Sequence, residues 1–77
     1  MEFKDWLMTE KNYSDRASRD VQSRIKRALA FTDEAEISPE TLSKIETNAE
    51  FKGLSMSVKS QLRRGIRLYN EYKLLIK

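Results

Sequence analysis

An all-α fold, a compact four-helix bundle, is predicted by three observations. Apolar residues recur at three- and four-residue spacings through most of the 77-residue chain. Serines stand just ahead of those periodic stretches, where a helix needs an N-cap. Only two glycines and one proline interrupt them, and no stretch alternates with the two-residue period of a strand.

The first helix is expected at about residues 2–10, where Phe3, Trp6 and Leu7 share one face. "KNYS" breaks it, and Ser14 is placed to cap a second helix over 15–31, with Asp15 just inside to complement the positive end of the helix dipole. Ala17, Val21, Ile25, Ala28 and Leu29 form the apolar stripe of that helix. "DEAEIS" reads as a linking loop. In "SPETLSKIE", Ser38 caps, Pro39 takes the first helical position where its missing N–H costs nothing, and Glu40 meets the dipole. A short third helix over 39–48 then turns Leu42 and Ile45 inward. "NAEFKGLS" reads as a turn in which Gly53 takes a left-handed conformation. Ser55 or Ser57 caps a long last helix over 56–76, with Val58, Leu62, Ile66, Tyr69, Tyr72 and Ile76 on one side. Gly65 falls on that same side. A glycine inside a helix costs about 1 kcal/mol relative to alanine, so its place there implies a close helix–helix approach.

A chain of this length makes one domain, residues 1–77, with a core worth roughly 3–5 kcal/mol of stability. It contains no cysteine and no histidine. Disulfide staples are therefore impossible, a reducing compartment such as the cytoplasm is expected, and the commonest zinc and haem ligands and the commonest general base are missing. Glycine-rich phosphate loops and serine nucleophiles beside a base are lacking too, so the chain is expected to be no enzyme, with no cofactor and no small-molecule substrate. Acid pairs such as Asp15 with Asp20 or Glu34 with Glu36 read as capping or solvated groups, and Tyr69 and Tyr72 as core rings with hydroxyls at the rim. No apolar run reaches the roughly 20 residues of a membrane span, and the acidic "MEFKDWLMTE" does not read as a signal peptide.

Net charge is only +3, but its distribution is uneven. Arg16, Arg19, Arg24, Lys26 and Arg27 crowd residues 16–27 against Asp20 alone, and Lys59, Arg63, Arg64 and Arg67 crowd 59–67 with no acid among them. Between these blocks Asp33, Glu34, Glu36, Glu40, Glu46 and Glu50 face only Lys44. At about 100° per residue, Arg16, Arg19, Lys26 and Arg27 lie opposite the apolar stripe of the second helix. On the last helix Lys59, Arg63 and Arg67 are spaced i, i+4, i+8 and make one ridge of mutually repelling cations. An anionic partner would relieve that repulsion, and nucleic acid is the expected one, with a plain solvated face as the alternative.

The segment "FKDWLMTEKNYSDRASRDVQSRIKRALAF" resembles the SAM-like N-terminal core-binding domain of phage integrases and other tyrosine recombinases. Those domains begin with an aromatic/Trp-Leu helix, here "FKDWL", and continue through a short loop ending in a capping serine, here "KNYS". "LSMSVKSQLRRGIRLYNEY" is similar to their long closing helix. The resemblance implies a bundle that clamps duplex DNA mainly through backbone contacts, with Arg16, Arg19, Lys26, Arg27, Lys59, Arg63, Arg64 and Arg67 approaching phosphates and the acidic third helix facing away. It also implies a stand-alone accessory protein of a mobile element or a fragment of a longer recombinase-like chain, because nothing here corresponds to the recombinase catalytic domain. The alternative from another class is a protein-interaction module, an inhibitor or assembly factor, that docks on an acidic protein surface. Leu68 and Leu75, seven residues apart and off the apolar stripe, are either covered by the first helix within the monomer or mark a seam for a homodimer or a following domain.

Overall fold

In a computed structural model, residues 2–75 are described, and they form helices joined by turns with no strand among them. The helices are α1 (Phe3–Glu10), α2 (Asp15–Thr32), α3 (Thr41–Glu46), α4 (Ala49–Lys52) and α5 (Met56–Leu75). The all-α expectation holds. The count of four does not, because "NAEFKGLS" contains a further helical turn, α4. Ile76, expected at the end of the apolar stripe, lies outside the described residues.

Local chemistry accounts for the starts of α2, α4 and α5 and for the end of α2. The Ser14 side chain accepts from the Ala17 N–H at 3.1 Å, which starts α2 as its cap. Asp33 closes α2 in the left-handed conformation (φ 54°), its N–H bonded back to the Leu29 carbonyl. Ser55 starts α5 by accepting from the Val58 N–H at 3.3 Å. The Asn48 side chain does two jobs: it accepts from the Phe51 N–H to start α4, and it donates to the Phe31 carbonyl at the end of α2.

Two expected details are corrected. Gly53 is not left-handed; it has φ −80° and continues the right-handed turn of α4, its N–H bonded to the Ala49 carbonyl. Pro39 is not the first helical residue, because α3 begins at Thr41 after a turn over Ser38–Thr41. The entry to α3 is held from the far side: Thr41 Oγ1 accepts from the Ser38 N–H at 2.8 Å and donates to Glu34 Oε1 at 2.9 Å. Thr41 is fully buried, so its hydroxyl acts as a small polar hub inside the core. Thr41→Val keeps the shape but strands those partners, and should lower stability by about 1–3 kcal/mol. An unchanged midpoint in urea unfolding would show that the hub contributes nothing.

The core gathers Phe3, Trp6 and Leu7 of α1, Val21, Ile25 and Ala28 of α2, Ile45 of α3, Phe51 of α4 and Leu62, Ile66 and Tyr72 of α5. Ile37, within the stretch read as a plain linker, is buried with them. Phe3, Trp6, Tyr69 and Tyr72 meet as one aromatic cluster with ring centroids 5.0–6.1 Å apart. α2 and α5 are the principal pair, and Gly65 is where they close: a Cβ added there would sit 3.6 Å from Arg24 Cβ and Ile25 Cδ1. Leu68 is half-buried against this core, whereas Leu75 is 65% exposed beside Leu74 at 69%. The Leu68–Leu75 seam is thus divided, one residue packed within the chain and one open. No helix of the described residues is long and apolar enough to cross a membrane.

Candidate nucleic-acid interface

The close approach at Gly65 sets the two basic helices side by side. A shallow groove between them is lined by Asp20, Ser23, Arg24 and Arg27 of α2 and Gln61 of α5. Arg64 stands about 60° around α5 from Gln61, on the same flank. Arg16, at a similar azimuth to Arg27, extends that flank toward the start of α2. Arg16, Arg27 and Arg64 are exposed and Arg24 is half-buried. Among the described residues, none of the four takes part in an ion pair, although Arg27 lies over the Phe31 ring at 5.9 Å.

The other expected cations fall elsewhere. Arg19 and Lys26 lie on the opposite flank of α2, toward α1. There Arg19 pairs with Asp15 at 3.0 Å, and Asp15 also holds Lys4. The Lys4 hydrogen bond, with Arg19 and Lys4 charges adding to it against desolvation, keeps the Asp15 carboxyl below its ordinary range.

Lys59, Arg63 and Arg67 lie on the α3 side of α5, and the acidic helix does not face away from them. Glu46, the last residue of α3, accepts both Nε and Nη2 of Arg63, the latter at 3.0 Å. The Arg63 guanidinium also sits 5.4 Å from the Phe51 ring centroid. The Arg63 hydrogen bonds, opposed by desolvation and reinforced by the charges of Arg63, Lys59 and Arg67, lower the Glu46 pKa. A carboxylate with a lowered folded-state pKa adds stability above its ordinary titration range and loses it as pH falls through the lowered value. The ridge that looks unrelieved along its own helix is therefore relieved by an acid from another.

Sequence reasoning missed Arg24. At about 60° from Val21 it borders the apolar stripe instead of opposing it, so it reads as a flank residue until Gly65 brings α5 across. The signal was present in the pairing of Gly65 with the arginine-rich helix, not in Arg24 itself.

The groove supplies guanidinium, amide and hydroxyl donors and one carboxylate, Asp20. Such a set binds anions with planar or tetrahedral oxygen arrays. Glu34 is engaged with Thr41 and Lys44, and Asp15 with Lys4 and Arg19, so these acids act in folding contacts. No group of three or more acidic residues among the described residues is placed to hold a metal ion.

Comparison with protein-family models, with curated proteins and with solved structures finds no match to this chain.

Proposed function

We propose that this chain is a non-enzymatic module that grips the phosphates of double-stranded DNA through the adjoining faces of α2 and α5. The observation that carries the reading is the set of Arg24, Arg27 and Arg64 on two helices locked together at Gly65, with no ion pair among the described residues taking up their charge. Fixing arginines on packed helices lowers the ordering cost of each phosphate contact.

Contacts of this kind position a protein without reading sequence, so affinity should vary little between unrelated duplexes and fall steeply with salt. The resemblance to SAM-like core-binding domains supports the same reading, as does the capped "KNYS" entry into an arginine-rich helix. In that reading the chain is a SAM-like bundle, used as an accessory DNA binder or as one part of a recombinase-like protein.

The test is anisotropy of a labelled random-sequence duplex at several salt concentrations. Arg27→Ala with Arg64→Ala should weaken binding and make the slope of log K against log salt shallower by about 2. Both side chains are exposed, so the melting temperature should change little. Unaltered duplex binding in the double variant would remove this face from the interface. A wild type that ignores unlabelled duplex while holding an acidic protein would establish the protein-docking alternative instead.

A further inference from the structure

Lys59, Arg63 and Arg67 form a ridge of cations at i, i+4 and i+8 on α5, yet Arg63 is already committed to a carboxylate. We propose that this ridge is a second phosphate-binding site, occupied in the free protein by Glu46 as an intramolecular stand-in for the ligand. The inference rests on the duplex-binding reading for its physiological ligand, but its chemistry stands on the ridge itself.

The fork that Arg63 presents to Glu46, one bond from Nε and one from Nη2, is the arrangement in which guanidinium takes a phosphodiester or a phosphate. Phe51 holds the guanidinium from the α4 side, so the fork stays in place when its acceptor changes. Lys59 and Arg67 act on Glu46 through their charge, and neither takes part in an ion pair among the described residues. A bound phosphate would therefore meet three cations arranged around the place of one carboxylate. Glu46 is the last residue of α3, with its side chain 40% exposed, so the carboxylate can swing into solvent without unpacking the core. The phosphate competes with Glu46 for one position, and the ridge engages a polyanion only as Glu46 leaves it.

Two alternatives in the chain are weaker as ligand sites. The groove of Glu36, Ile37, Ser38, Asn70 and Leu74 has its one cation, Lys73, paired with Glu36. The buried Trp6 indole N–H and Ser18 hydroxyl lack hydrogen-bond partners, but neither lines the α2–α5 groove or the groove beside Lys73.

The experiment compares wild type, Glu46→Gln and Glu40→Gln, following the Arg63 Nε–Hε resonance by NMR during titration with inorganic pyrophosphate and then with random-sequence duplex. In Glu46→Gln the Arg63 resonance should shift at pyrophosphate concentrations that leave it unmoved in the wild type. The duplex salt slope should steepen by about 1 relative to wild type. Glu40→Gln removes the same charge away from Arg63 and should leave both readouts at the wild-type value. Adding Arg63→Ala to Glu46→Gln should abolish the gain in slope. An Arg63 resonance that responds to pyrophosphate equally in wild type and Glu46→Gln, or in neither, overturns the proposal even where duplex binding through α2 and α5 stands. A pyrophosphate response confined to Glu46→Gln, in a protein that never binds duplex, keeps the ridge and discards the duplex reading.

Discussion

Phe51→Ala should leave about half of the molecules unfolded at room temperature. Phe51 is 1% exposed, and it is the residue by which the single-turn helix α4 enters the core. Its ring meets Phe31 of α2 edge-on at 6.3 Å and supports the Arg63 guanidinium of α5. Removing a buried phenylalanine ring costs about 3–5 kcal/mol. The whole domain is worth roughly the same amount, about 3–5 kcal/mol. The loss has nowhere to be absorbed, because α4 is only four residues long and has no independent stability. Far-UV circular dichroism should show a broad, low transition in place of a cooperative melt. A melt within a few degrees of the wild type would mean that α4 is a dispensable cover.

The second large effect separates two substitutions at one position. Gly65 is buried where α5 meets α2, and an added Cβ would rest 3.6 Å from Arg24 Cβ and Ile25 Cδ1 and 4.0 Å from the Val21 carbonyl oxygen. These are ordinary contact distances, so alanine fits. Gly65→Ala should raise stability by up to about 1 kcal/mol, the difference in helix propensity. Gly65→Leu sends three further carbons into the same space and should lower stability by about 1–3 kcal/mol through overpacking. It should also weaken duplex binding, because separating the helices moves Arg64 away from Arg24 and Arg27. Thermal melts of the two variants in parallel settle the point, and a leucine variant more stable than wild type would refute the close approach.

Much of the fold was legible because helical periodicity and capping are local. Ser14, Ser55 and the stripes of α2 and α5 are decided by residues within a few positions of one another. The failures lie where distant residues decide. Phe51 and Ile37 sit among polar residues that look like turn and linker, and only their burial against α2 and α5 shows that the intervening chain is folded into the core. Gly53 looks like a left-handed stop, but Asn48, held by the Phe31 carbonyl, starts a right-handed turn that carries through it. The cations were legible as residues but not as a surface. A helical wheel places Arg27 and Arg19 on one polar face, whereas packing assigns Arg27 to the α5 side and Arg19 to the α1 side beside Asp15. Arg63 illustrates the same limit: its acid comes from 17 residues away, a distance over which periodicity says nothing.

The lone tryptophan has an optical consequence. Trp6 is 3% exposed, between Phe3 and Tyr72, with the Lys11 ammonium 5.4 Å from its ring centroid. Its indole therefore emits from an apolar surrounding, and shifts to longer wavelength when α1 detaches and water reaches it. Tyr72, its neighbour on α5, is eleven residues from Gln61, about 16 Å along the helix axis. Emission from Trp6 is thus an internal gauge of whether α1 remains docked, and it is blind by position to what occupies the α2–α5 groove. Changes in emission during a titration with duplex report loosening of the bundle, while occupancy of the groove is read from the label on the duplex.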